Sequence, residues 1–252
     1  MRYPKTAIIT GANGQTAVHI AKELLKQGCT LLLIAHERID RIEPLSKQYP
    51  QNCTIVKCDL SSFEQTSLVI NEYVSERGFI PEALIHTAAI RSSDAKALFE
   101  SEPVVWDHTI MQNIAFSYNI LRCVLPVMKQ ANQGKVVLMG SNVTRTGLPY
   151  GSAYAASKAA LSNLVRTVAW EMAPYHVQIN LVSPAPVETN LEEDYQGEYL
   201  KFRQEYFEAY KKSHPAGTLV SLDDVSQTVF SLLNFDVTAL SGEEIFLTGG
   251  VL

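Results

Sequence analysis

Three side chains in one short stretch have the types and spacing for a proton transfer. Tyr154 and Lys158 stand four residues apart, and Ser141 lies thirteen residues before the tyrosine. The i, i+4 spacing puts the phenol and the ammonium on one face of a helix. A phenol with a reference pKa of about 10 is a poor acid or base at neutral pH. An adjacent cation stabilises the phenolate and lowers that value toward the range where a Brønsted catalyst works best. A hydroxyl beside them can hold the reacting oxygen and stabilise charge developing on it. Taken alone, the pair reads more readily as a half-buried anchor and a solvated helix charge. The serine-ended strand in front of it points to chemistry instead.

Positioning these groups takes a strand, a loop and a helix. Lys135 to Met139 is an apolar strand ending at Gly140-Ser141. A loop rich in Gly, Pro and Thr follows, and a helix opens near Ser152 and continues to about Met172. The rest of the chain repeats this alternation. Strands are read at Ala7 to Thr10, Thr30 to Ala35, Thr54 to Cys58, Ala83 to Ala89, Val177 to Val182 and Glu244 to Leu247. Helices are read at Thr16 to Lys26, with Gly28 as the stop, and at Ile42 to Tyr49. A third runs to about Glu76 from a capping box at Ser61 with Glu64 or at Ser62 with Gln65. Pro103 to about Lys129 is a long helical segment that Pro126 should bend or end. Tyr195 to Lys212 and Leu222 to Leu233, capped by Ser221, complete the set. Continuous apolar strands alternating with helices imply a parallel sheet covered on both faces. The expected fold is α/β, a single-domain Rossmann-type doubly wound sheet of about seven strands spanning the chain.

Composition narrows the function classes. A chain of 252 residues with 46% hydrophobic residues can build the core of one such domain. A net charge of -5 and a pI near 5.7 argue against a nucleic-acid partner and against a basic membrane-surface helix. Apolar runs such as Leu31 to Ala35 are far too short to cross a bilayer, and the opening residues pass almost at once into a strand, leaving no room for a signal peptide. Cys29, Cys53, Cys58 and Cys123 show no CxxC spacing, so neither a metal site nor a disulfide framework is expected. Reduced cysteines in a cytoplasmic protein are the reading that follows.

The serine, tyrosine and lysine together resemble the active-site segment of the short-chain dehydrogenase/reductase family, and the resemblance extends from about Thr6 to Gly250. Thr10-Gly11-Ala12-Asn13-Gly14-Gln15-Thr16-Ala17 lies between the first strand and the first helix. There a dinucleotide pyrophosphate meets backbone N–H groups and the positive helix end. Gly11 permits the tight turn, Gly14 a close approach, and Ala17 close packing on the sheet. The spacing departs from the TGxxxGxG of the short branch, with Gln15 and Ala17 in glycine positions, and is nearer the TGxxGxxG of the longer, two-domain branch. His86-Thr87-Ala88-Ala89 stands where the family has NNAG; His86 reads as a satisfied core histidine. Pro184 with Ala185 replaces the PG turn, Val187 and Thr189 fall where relatives touch the cofactor, and Thr248 replaces the aspartate of the closing TGxxxxxDGG.

The resemblance implies a tetrad of Asn113, Ser141, Tyr154 and Lys158, with Asn119 the competitor for the asparagine role. Tyr154 would exchange the proton, Ser141 hold the oxygen, Lys158 lower the tyrosine pKa and grip the nicotinamide ribose, and Asn113 support a water linking the lysine to solvent. Asp59 and Leu60, after the third strand, match the residues at the adenine. Ala35 occupies the position where NAD users carry an acid. Its absence, with His36 and Arg38 beside it, favours NADP(H) over NAD(H); Glu37 is the alternative ribose acid. The expected reaction moves a hydride between this cofactor and a neutral, largely apolar alcohol or carbonyl compound. A catalytically silent dinucleotide-binding regulator is one rival, favoured by the altered motifs. An epimerase or dehydratase of the longer branch is another, although the chain stops just after the last strand.

Two further expectations concern surfaces. Residues at about 187–217 form an insertion that relatives use as a substrate lid, mobile without ligand and closing on binding. It carries Tyr195, Tyr199, Phe202, Tyr206 and Tyr210 at helical spacing opposite Lys201, Glu205, Glu208 and Lys212. Core packing is the plainer reading of that stripe, a substrate wall the functional one. Ile110 to Leu125 and Ala155 to Trp170 carry more apolar residues than one sheet face needs. The resemblance implies that they pair copies into a homodimer or homotetramer.

Overall fold

The computed structural model describes residues 3–91, 95–235 and 237–251. The elements in chain order are β1 (Thr6–Thr10), α1 (Gln15–Lys26), β2 (Thr30–Ala35), α2 (Glu43–Gln48), β3 (Cys53–Lys57), α3 (Phe63–Asn71), β4 (Ala83–His86), α4 (Pro103–Ala131) and β5 (Gly134–Met139). They continue with α5 (Val143–Thr146), α6 (Ser152–Met172), β6 (Val177–Pro184), α7 (Gly197–Ser213), α8 (Leu222–Asn234) and β7 (Glu244–Leu247). The strands form a seven-stranded sheet in the order β3-β2-β1-β4-β5-β6-β7, and every pairing is parallel. This is the Rossmann-type doubly wound fold. The order reverses between β1 and β4, so the connections leaving these strands part and open a crevice at their carboxyl ends.

Side chains alternate across a strand, and that alternation divides the core in two. Ile9, Leu31, Leu33 and Ile85 pack with Leu24 of α1 and Val229 of α8 on one face. Ile8, Leu32, Leu84 and Val136 pack with Val124 of α4 and Val165 of α6 on the other. Both faces of each central strand are therefore apolar, which is why the strands read as unbroken hydrophobic runs.

The structure corrects or narrows the sequence reading in four places. β4 ends at His86, not Ala89, because the chain then crosses the glycine turn and leaves the ladder. A Cβ on Gly11 would come within 2.7 Å of the Ala88 backbone. Ser62, not Ser61, caps α3, accepting from the Gln65 N–H at 3.2 Å. The Gln65 side chain does not close the box; it accepts from the Asp59 N–H at 3.2 Å. α3 gives way to one π-helical turn over Glu72–Glu76. Pro126 lies inside α4 without ending it, and the helix stops only where Asn132 turns left-handed with φ 52°.

Candidate active site

The end of β5 and the first turns of α6 bring the chemistry together. Ser141 follows β5 and is buried, and Lys158 on α6 is 3% exposed. The Lys158 ammonium donates to the Met139 carbonyl at 2.7 Å, tying the helix to the strand end. Its nitrogen lies 5.6 Å from the centre of the Tyr154 ring. Burial by itself would push the Tyr154 phenol up. The Lys158 ammonium, then Arg91 and Arg203, and a hydrogen bond from Ser141 overrule it and bring the phenol below its ordinary value. Burial lowers the Lys158 pKa and Arg91 adds to that, while Tyr154 opposes it.

Asn113 on α4 is 1% exposed. Its side chain accepts from the Ile90 N–H at 2.8 Å and donates to the Ile90 carbonyl at 3.0 Å. It also donates to the Ser157 hydroxyl on α6 at 3.0 Å. The competitor, Asn119, instead holds the Leu60 and Ser61 carbonyls at 2.8 and 3.1 Å, far along the helix from the tyrosine. His86 is satisfied within the core, by Thr10 Oγ1 at 2.7 Å on Nδ1 and Ser117 Oγ at 3.0 Å on Nε2. Burial, then Lys158, pushes its pKa down to about 3.

A cavity of about 580 Å³ runs from the glycine turn to the tyrosine. Gly11, Gly14, Gln15 and Thr16 line one end, Ala88 and Ala89 the middle, and Ser141, Tyr154 and Lys158 the other, with Pro184, Val187 and Thr189 along a side. The residues present fit a dinucleotide at the glycine end. Gly11 has φ 63°, and no side chain larger than hydrogen fits beside Ala88. α1 starts with Gly14 as its cap, with no side chain on its N–H groups and no acid in its first turn. Its positive end is therefore open to an anion.

Five of the expected cofactor residues lie outside the lining of this cavity. Asn13 is engaged by Asp40 at 3.1 Å and by the Arg41 N–H at 2.9 Å. Arg38 pairs with Asp40 at 3.1 Å, both exposed, and His36 is exposed. Asp59 accepts from the Ser61 N–H at 2.9 Å, which holds its carboxyl below the usual range, and Leu60 is buried.

The lid stripe divides by role. Tyr195, Tyr199 and Tyr206 line the cavity, together with Phe207. Phe202 meets Tyr150 edge-on at 6.2 Å. Tyr210 is core, donating its hydroxyl to the Thr248 carbonyl at 2.7 Å. The exposed outer face carries Lys201, Glu205, Glu208 and Lys212, as expected. Three site residues escaped the sequence reading. Arg91 and Arg203 line the same cavity beside the tyrosines, which removes the premise of an uncharged pocket. Arg203 sits one residue past Phe202 and four before Phe207, inside the aromatic rhythm. Arg41 pairs with Glu193 and Asp194, each at 2.8 Å. With Gln15, which bonds the Asn190 backbone and Asp194, it ties residues 190–194 to the glycine turn.

Among the described residues, no group of three or more His, Cys, Asp or Glu is placed to hold a metal ion, and no helix is long and apolar enough to cross a membrane. The four cysteines are free; burial pushes Cys29 up to about 12 and Cys53 up to about 11.

Comparison with known proteins agrees with this fold. The chain is 24% identical over 247 residues to a 3-oxoacyl-[acyl-carrier-protein] reductase of Buchnera aphidicola, covering 98% of this chain and 97% of that one. It is 24% identical over 254 residues to a D-beta-hydroxybutyrate dehydrogenase of Rhizobium meliloti, covering 98% of each. An NAD+-bound xylitol dehydrogenase shares the fold with a TM-score of 0.87 at 21% identity, over 98% of each chain. NADPH-bound ElxO superposes with a TM-score of 0.84 at 25% identity, again over 98% of each. The family described as Enoyl-(Acyl carrier protein) reductase matches residues 12–252. That match takes in every element of the fold after β1, and the chain belongs to the short-chain dehydrogenase/reductase family of NAD(P)-dependent oxidoreductases.

Proposed function

We propose that Tyr154 is the proton donor and acceptor for interconversion of an alcohol and a ketone or aldehyde. The observation that carries this reading is the phenol held below its ordinary pKa by Lys158 at the end of β5. The dinucleotide, when bound, supplies or takes up the hydride. Tyr154 gives a proton to the carbonyl oxygen in reduction and takes one from the alcohol in oxidation. Ser141 donates to the same oxygen as its charge grows. Lys158 steadies the phenolate and reaches the nicotinamide ribose. Asn113 joins the Ile90 segment to α6 and supports a water toward the lysine. The chain acts as one domain over 1–252, and 187–217 is its lid. The Gln15 and Arg41 contacts support a lid that closes across the glycine turn.

NADP(H) is the proposed cofactor. Ala35 offers no carboxylate to repel a 2′-phosphate, and His36 is exposed beside it. The Arg38–Asp40 pair is exposed on both sides. Such pairs contribute about 0–1 kcal/mol, so Arg38 can exchange Asp40 for a phosphate at little cost. The NADPH-bound neighbour supports the same choice. The substrate is a small carbonyl or alcohol whose carbon skeleton packs on Tyr195, Tyr199, Tyr206 and Phe207. Free buried cysteines support a reducing, cytoplasmic setting. The exposed apolar side chains Met111, Tyr118 and Trp170 on α4 and α6 support pairing with a second copy in a homodimer or homotetramer.

The test is loss of NADPH or NADH absorbance across a carbonyl panel, with Tyr154→Phe alongside. The variant should lose nearly all turnover and keep its dinucleotide affinity. Tight NADPH binding with no turnover of any carbonyl by the wild-type protein would favour the silent regulator.

A further inference from the structure

The inner face of the lid holds a cation that lowers the Tyr154 pKa but, among the described residues, pairs with no carboxylate. Arg203 on α7 is 9% exposed. Its guanidinium carbon lies 4.7 Å from the centre of the Phe207 ring, 5.7 Å from Tyr195 and 5.9 Å from Tyr206. Its Nε is buried and has no hydrogen-bond partner. Arg91, in the segment that follows Ile90, stands over the same aromatic cluster, 5.1 Å from the Tyr195 ring centre. Both guanidinium groups line the cavity that contains Tyr154. Among the described residues, no carboxylate pairs with either. Among the described residues, the one acid in the lining, Asp194, is already held by Arg41 at 2.8 Å and Gln15 at 2.9 Å.

A buried cation without a counter-charge is costly, and ring faces offset only part of that cost. Arg203 is such a cation and has an orphaned donor, and the exposed Arg91 stands over the same Tyr195 ring. We propose that Arg91 and Arg203 form a receptor for a carboxylate on the substrate, so that the chain acts on an oxo or hydroxy acid. The proposal rests on the alcohol–carbonyl reading of Tyr154 and names its substrate class.

Two arguments favour a substrate carboxylate over the phosphates of the dinucleotide. The dinucleotide phosphates belong at the open end of α1, beside Gly11 and Gly14, whereas both arginines act on the Tyr154 phenol. Each guanidinium presents a planar fork that matches the two oxygens of a carboxylate. Tyr195, Tyr199 and Tyr206 would then contact the carbon chain between the acid and the reacting carbon.

The test is calorimetric titration of the NADPH-loaded full chain with short straight-chain hydroxy acids, their methyl esters and the matching phosphate monoesters. NADPH and an alcohol cannot react, so binding is read without turnover. At least one acid should bind roughly tenfold or more tightly than its ester. R203M and R91M should each cut that acid-over-ester ratio by roughly tenfold and leave NADPH affinity in place. Arg91 is exposed, so R91M keeps the test open if R203M fails to fold. The proposal is overturned if no acid is preferred over its ester, or if the preference survives both substitutions. It is also overturned if a phosphate ester outbinds every acid, or if both variants lose NADPH itself. Oxidation of the same acids with NADP+ is read separately. An acid preference without turnover would support the receptor and count against the reaction assigned to Tyr154.

Discussion

The side chain of Asn113 bonds both backbone groups of Ile90, accepting from its N–H at 2.8 Å and donating to its carbonyl at 3.0 Å. This fixes the segment leaving β4 against α4, and through Ser157 it fixes both to the helix that carries Tyr154. Asn113→Ala removes all three bonds and strands two backbone groups. Destabilisation of about 1–3 kcal/mol is expected in a denaturant titration, with turnover falling more than dinucleotide affinity. A variant of wild-type stability and rate would show that the bonds do not position the site.

Lys158→Met should move the pH profile. Alcohol oxidation needs the phenolate, so its rate rises with pH through the Tyr154 pKa, which lies below the usual tyrosine value. Carbonyl reduction needs the phenol and falls over the same range. Without the ammonium, both limbs shift to higher pH and neutral-pH oxidation drops most. A residual activity with an unmoved profile would assign the shift to another group.

His86 is neutral in the fold because burial holds its pKa down at about 3. The unfolded chain binds a proton near pH 6.5, so stability is complete above that value and is lost as pH falls below it. Between pH 7 and 5 the loss is about 2 kcal/mol. His86→Asn should flatten that slope in thermal or denaturant unfolding. An equal slope in the variant would place the acid sensitivity elsewhere.

Gly11→Ala meets two obstacles at once. The position has φ 63°, and the new Cβ would lie 2.7 Å from the Ala88 backbone. The left-handed conformation alone costs about 1–2 kcal/mol. The forced shift of Ala88 narrows the cavity between the glycine turn and Tyr154, so NADPH affinity should fall sharply while the protein remains folded. Unchanged NADPH affinity would show that the dinucleotide does not use this turn.

Met111, Tyr118 and Trp170 are 64%, 55% and 86% exposed on α4 and α6. Light scattering at micromolar concentration should give the mass of a dimer or tetramer of the 27.9 kDa chain. Trp170→Glu should shift the population toward the monomer. A wild-type mass of one chain would remove the proposed pairing.

Local pattern carried most of the fold. Six of the seven strands begin and end within one or two residues of their expected bounds, because the central strands are buried on both faces and show as apolar runs. Ser141, Tyr154 and Lys158 were legible because a strand end and an i, i+4 pair are local geometry. What is written across distant segments was not legible. The end of β4 is decided by the crossing of Ala88 over Gly11, far apart in the chain. The choice between Asn113 and Asn119 rests on whether Ile90 or Leu60 lies opposite. The aromatic spacing was visible, but which rings face the cavity depends on how α7 rolls against Thr248 and Tyr150. Arg203 looked like one more polar residue on an amphipathic helix. Only the packed lid turns it inward beside Arg91, because a long side chain takes its direction from the surfaces that close around it.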